Sequence, residues 1–264
     1  MRKTLFILAI MATAAVAAEA STVLISFGIN SGNGTAVVEG TYLGESGQKV
    51  NKISTGGSSS YTSGTLVTTE GGATGITLTT GGVCCGSGGV LTDTSAKDSA
   101  LGQGNKFYDV FGRDMSTGSP IGGVINTTNS TNGNFTMSLN NLSAGTYTLT
   151  MLAGRGNNYG TGYASSFSID GTGISNISAS LDDYSTGSGA ALNGTTLTGN
   201  THTGDWMVVT YTFDVDADNT RLNIQSRGGS GSINSLALTS VPKPAATSLG
   251  LLGLGRLLMR RKRA

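Results

Sequence analysis

The 264-residue chain has a formal net charge of +1, but eight of its 16 basic residues stand near the two ends (Arg2, Lys3, Lys243, Arg256, Arg260, Arg261, Lys262 and Arg263), as does only Glu19 of its 15 acidic residues. The body between the ends holds eight basic against 14 acidic residues, a net charge of −6; without a basic cluster, it excludes the phosphate neutralisation on which nucleic-acid binding rests. Gly, Ser, Thr and Asn make up nearly half of the chain and alternating apolar segments recur between them, which argues for strands joined by many turns rather than for disorder.

In chain order, Arg2-Lys3 forms a basic start, Leu5 to Ala18 an apolar stretch, and Ala18-Glu19-Ala20 a small-x-small cleavage site. Together they predict a secretory signal peptide over residues 1–20, cut after Ala20. Thr22 to Phe27 predicts a first strand, and β pieces follow near Val37–Leu43 and Gln48–Ser54. Thr65–Thr69 and Gly75–Thr80 look like paired strands across a Glu-Gly-Gly-Ala linker. Cys84 and Cys85 are adjacent in a Gly-rich loop. In an oxidising compartment a strained pair, two free thiols or an intermolecular bridge are all open. Two adjacent sulfurs alone do not make a four-ligand zinc site. Asp93 to Leu101 predicts one helical turn and Lys106–Phe111 another strand.

From Phe135 the pattern sharpens. Phe135 to Leu139 alternates. In Thr146 to Ala153, Tyr147, Leu149, Met151 and Ala153 share one face, with threonines on the other. Trp206 to Val215 sets Met207, Val209, Tyr211, Phe213 and Val215 on one face, Asp216 to Asn219 turns the chain, Arg221 to Ser226 returns, and Ile233 to Thr239 closes the body. Period-two alternation is the signature of strands with one buried face. No fixed-period repeat is present, and Pro120 is the body's only proline. The expected fold is all-β: one antiparallel two-sheet sandwich over residues 21–240. The stretch from Phe135 to Arg155 and the later strands are similar to galactose-binding-like jelly rolls. A concanavalin-type sandwich fits nearly as well.

The last segment, residues 241–264, has three parts. Pro242-Lys243-Pro244 is a stiff proline pair. Ala245 to Met259 is apolar apart from Thr247, Ser248 and Arg256. As helix it is roughly 22 Å long, a short transmembrane helix, with Arg256 able to snorkel. Arg260, Arg261, Lys262 and Arg263 form a basic end that would stay cytoplasmic. A proline motif, a short apolar helix and a basic end at the extreme C-terminus resemble the PEP-CTERM sorting signal of Gram-negative bacteria. Where that family has Pro-Glu-Pro, this chain has Lys243 in the middle. The resemblance implies an exosortase-type membrane transpeptidase as partner, a transient inner-membrane anchor, and delivery to the cell envelope exterior or exopolysaccharide layer.

Motifs for chemistry are sparse. His202 is the single histidine, which excludes any two-histidine motif. There is no Gly-x-Ser-x-Gly elbow and no phosphate-cradling Gly-Lys-Ser/Thr loop. Asp182-Asp183 is the acid pair a polysaccharide-active enzyme could use, set against a solvated turn. Asp214-x-Asp216-x-Asp218 resembles the start of a calcium loop without its glycine and closing glutamate; Ca²⁺ there is the only cofactor the spacing admits, against a plain turn. The loop Arg155 to Tyr163 is the best glycan-binding candidate: Tyr159 and Tyr163 offer stacking faces, and Arg155, Asn157 and Asn158 offer directional hydrogen bonds. The expected protein is an exported, non-enzymatic binding or structural module; the alternatives are a carbohydrate-binding module with a defined glycan ligand and, in a different class, a polysaccharide-active enzyme.

Overall fold

The computed structural model describes residues 20–27, 33–42, 45–55, 60–81, 125–126, 134–154, 164–181, 190–200, 207–229 and 231–242. Ala20–Val241 forms one compact unit. Its strands are β1 (Thr22–Phe27), β2 (Asn33–Tyr42), β3 (Glu45–Thr55), β4 (Ser60–Thr62), β5 (Thr77–Gly81), β6 (Ile125–Asn126), β7 (Phe135–Leu142) and β8 (Gly145–Ala153). They continue with β9 (Ala164–Asp170), β10 (Ile174–Leu181), β11 (Ala191–Asn193), β12 (Thr196–Asn200), β13 (Met207–Val215), β14 (Thr220–Arg227) and β15 (Ser232–Val241). The described residues contain no helix. The expected helical turn at Asp93–Leu101, the signal peptide and the C-terminal membrane helix lie outside them.

The strands form two sheets. One runs β10-β13-β8-β15-β1-β3-β2, with β6 also pairing β15; the other runs β11-β12-β9-β14-β7-β5-β4. The two bury a common core between them. Val209, Tyr211, Phe213, Leu149, Met151 and Leu236 point in from the first sheet, and Phe135, Met137, Leu139, Phe167, Leu222 and Ile224 from the second. This is the two-sheet sandwich expected from the period-two rows. Phe213 stands opposite Tyr147, with ring centroids 5.8 Å apart and planes 15° off parallel.

Pairing is not wholly antiparallel, which corrects the expectation. β3 lies between β1 and β2, and β2 pairs β3 as an antiparallel hairpin, so β3 returns in the direction of β1 and the two pair in parallel. Where β1 and β3 diverge, residues 66–69 fill the gap. Thr69 N–H donates to Thr22 O at 2.8 Å and Lys49 N–H to Thr69 O at 2.7 Å. Buried Asn51 bridges the same gap, donating to Leu24 O and Val67 O at 2.9 and 2.8 Å and accepting from Val67 N–H at 2.9 Å. These bonds pair backbone groups that the divergence of β1 and β3 would otherwise leave without a partner in a largely covered place.

The expected pairing of Thr65–Thr69 with Gly75–Thr80 forms no ladder: Leu66 N–H donates to Ile76 O at 2.8 Å, and the isolated bridge is between Val67 and Ala73, inside the linker. Gly71, at φ 89°, and the Thr68 Oγ1 bond from Gly72 N–H close a tight loop there, and β5 instead joins β4 and β7. From β7 onward, long strands cross alternately between the sheets: β7, β9, β12 and β14 in one, β8, β10, β13 and β15 in the other. The crossing from β13 to β14 turns on Asn219 at φ 61°, a left-handed position that asparagine tolerates.

Candidate functional site

The outer face of the seven-stranded sheet carries the most organised polar surface among the described residues. Its centre is β14. Leu222, Ile224 and Ser226 point into the core, so Arg221, Asn223, Gln225 and Arg227 point out. The register sets Asn223 beside Asp170 on one side and Ser138 on the other, and Gln225 beside Ser168 and Thr136. These neighbours make one chain of hydrogen bonds. Arg221 Nη2 donates to Ser138 Oγ at 2.7 Å. That hydroxyl donates to Asn223 Oδ1 at 2.9 Å, and Asn223 Nδ2 donates to Asp170 Oδ1 at 2.9 Å. Gln225 Nε2 donates to Asp170 Oδ2, and Arg227 Nη2 to Gln225 Oε1.

The chain orders the side chains and leaves a surplus of donors. Asn and Gln amides each carry two N–H bonds and a guanidinium five. Asp170, the carboxylate in the row, already accepts from both amides. An open groove of about 690 Å³ runs over this face, lined by Thr136, Thr172, Asn219, Arg221, Asn223 and Gln225. The sequence shows β14 as an alternating strand, but its outward half reads as ordinary surface. Only the register with Asp170 and Ser138 turns it into a site.

A second, narrower cavity of about 290 Å³ lies where the body's chain begins and ends, lined by Ser21, Thr74, Asn141, Ser143, Tyr147 and Ser240. Tyr147 Oη donates to Ser143 O at 3.0 Å. Burial, with a smaller contribution from the Asp218 charge, raises its pKa. The deeper Tyr211 phenol, which donates to Phe167 O at 3.2 Å, is raised further by burial. Neither phenol is suited to give up a proton near neutral pH.

The three aspartates considered for calcium do not converge. Asp214 accepts from Thr146 Oγ1 at 2.6 Å and from Asn176 Nδ2 at 2.8 Å. Asp216 accepts from Ser175 Oγ at 2.8 Å, and Asp218 from Ala144 N–H at 2.8 Å. Each carboxylate ties its own neighbouring segment to the β13–β14 corner, and the donors aimed at them use lone pairs a cation would need. Among the described residues no group of three or more His, Cys, Asp or Glu is arranged to hold a metal ion.

Other expected site residues lie outside the described residues: Arg155, Asn157, Asn158, Tyr159 and Tyr163, the pair Asp182 and Asp183, and Lys243, Pro244, Arg260, Arg261, Lys262 and Arg263; so do His202, Trp206, Cys84 and Cys85, for which no site role is expected. Pro242 is described, and is exposed directly after β15. Among the described residues no helix is long and apolar enough to cross a membrane. The chain matches no protein-family model, no curated protein and no solved structure.

Proposed function

We propose that the protein is exported and sorted by an exosortase-type transpeptidase to the cell envelope exterior or exopolysaccharide layer, where residues 21–240 act as a non-catalytic binding or structural module. One observation carries this reading. The body closes on itself at the two junctions where the signal peptide and sorting signal are expected to be cut. Ser21 N–H donates to Ser240 Oγ at 3.0 Å, and Ser240 N–H donates to Ser21 O at 2.9 Å. The first and last strands, β1 and β15, are hydrogen-bonded neighbours from Thr22↔Thr239 to Ser26↔Ser235. Cutting the chain outside these residues removes no strand from either sheet.

The strand order supports the finer reading of a galactose-binding-like jelly roll. Set β10 aside as an added edge strand, and β1-β15-β8-β13 faces β7-β14-β9-β12, the paired order of a jelly roll. Such a sandwich suits binding as well as scaffolding, and fold alone does not decide between them. Glycan binding through the Arg155–Tyr163 loop is compatible with this reading. A polysaccharide-active enzyme using Asp182 and Asp183 is the competing class.

Variants of the ends test the sorting. Pro242→Ala with Pro244→Ala, and separately glutamine at Arg260, Arg261, Lys262 and Arg263, should each hold the protein back in the membrane fraction of its own cells. Export of both variants at the parent's level would show that the tail is not a sorting signal.

A further inference from the structure

The proposed export to a polysaccharide layer raises the question of which polysaccharide chemistry the body meets, and this inference rests on that reading. We infer that the outer face of the seven-stranded sheet binds a carboxylate-bearing polysaccharide, a polyuronate, laid along β14 with Arg221 as its carboxylate anchor.

Three observations carry it. The face is rich in donors: after the internal bonds, Asn223, Gln225, Arg221 and Arg227 still have N–H groups to give, while Asp170 is engaged by two amides. A donor-rich surface selects a ligand rich in acceptors, and a carboxylate presents about four lone-pair sites in a geometry that a guanidinium matches. Second, charge is placed locally against the trend of the body. A body of net charge −6 sets two arginines six residues apart on one strand face, with Asp170 between them. That distance is about 20 Å of strand, enough for several sugar units. Third, the outward rows on this sheet hold Ser166 and Ser168 beside the β14 row, and Thr196, Thr198, Thr77 and Thr79 one strand further out on either side. No aromatic side chain joins them among the described residues, so recognition here depends on hydrogen bonds and charge rather than stacking.

The side chains are also held in place before binding. Ser138, 1% exposed, is fixed between Arg221 and Asn223. The ordering cost of these long side chains is met in the free protein, which favours affinity.

The test uses the protein isolated from its own cells and three probes: polygalacturonate, the same polymer fully methyl-esterified, and dextran sulfate. Polygalacturonate should bind, and esterification should weaken binding by at least about tenfold, the worth of one charge-assisted hydrogen bond. Binding should also weaken as salt is raised from low to high ionic strength. Arg221→Gln should lose at least about tenfold, with Arg221→Lys recovering only part. Thr136→Glu, which leaves the hydrogen-bonded row in place and adds a negative charge to the groove, should lose a similar factor with unchanged thermal unfolding. Equal binding to the ester, equal or tighter binding to dextran sulfate, or binding indifferent to both Arg221→Gln and Thr136→Glu would overturn the inference. Exported protein that ignores polygalacturonate sinks this inference alone; protein found only in the cytoplasm sinks the export reading whatever it binds.

Discussion

The outer faces of the two sheets are put to opposite uses. On the eight-stranded sheet, Leu24, Ala237 and Val50 point away from the sandwich interior and are nevertheless buried as a small apolar cluster. The adjoining row, Ser235, Ser26 and Lys52, is buried too, with Lys52 only 7% exposed. Every residue of β1 is buried. On the seven-stranded sheet the corresponding rows are half-exposed Thr, Ser, Asn and Gln with two arginines. One sheet is packed on both sides around its first and last strands, where the chain closes. The other leaves one side open to solvent. The same alternation thus yields a strand buried on both faces or one with an open polar face, depending on whether the outward row is covered.

Substitutions probe this contrast directly. Phe213→Ala, in the shared core against Tyr147, should cost most, about 3–5 kcal/mol in denaturant unfolding. Leu24→Ala should cost about 2–5 kcal/mol although it points outward, whereas Ser168→Ala, outward on the other sheet, should stay within about 0.5 kcal/mol. A Leu24 variant as mild as the Ser168 variant would erase the distinction between the faces. Gly171→Ala comes next. An added Cβ would lie 2.3 Å from the backbone oxygen of Arg221, and the backbone must shift, costing about 1–3 kcal/mol. Because the strained atom belongs to Arg221, polygalacturonate binding should fall as well; full affinity would separate the strand from the groove.

The smallest effect concerns Glu70. The Thr69 hydroxyl donates to its carboxylate and lowers its pKa, against a smaller opposing effect of burial. A depressed carboxylate stabilises the fold above its ordinary titration range and loses that contribution as pH falls through the lowered value. Glu70 is exposed, so screening keeps the term within about 0.5 kcal/mol. Unfolding of Glu70→Gln and its parent should differ slightly at pH 7 and converge as the pH falls through the lowered titration range of Glu70. A gap that widens on acidification would contradict this.

What was legible in the sequence was contrast between faces. β8 and β13 carry large apolar side chains at every second place, β15 does so at Leu236 and Leu238 beyond a bulge after Ile233, and the bounds of all three fall within a few residues of the expected ones. The turn at Asp216–Asn219 was readable because its composition has one use. β9 to β12 were not: β9 and β12 rest inward on Phe167, Ile169 and Leu197, β10 and β11 only on partly buried residues such as Ile174, Ile177, Leu181 and Leu192, and small polar residues fill much of both faces around them. β10 is further blurred by a bulge and by Asn176 at φ 50°. Thr65–Thr69 has the composition of a strand, but it fills a gap between two others. The β14 groove was hidden for a different reason. Arg, Asn and Gln on an outward face are what any soluble strand shows, and their meaning comes from Asp170 and Ser138, which lie more than 50 residues away in the chain.

On the proposed reading the closed sandwich is the working part, and both ends are removed or used only for delivery. The most direct test is the intact mass of the protein from membrane and culture fractions of its own cells. The expected result is a released form that begins at Ser21 and ends near Val241–Pro244. A chain that still carries Arg260 to Arg263 in every fraction, or one that begins at Met1 in the cytoplasm, would contradict it.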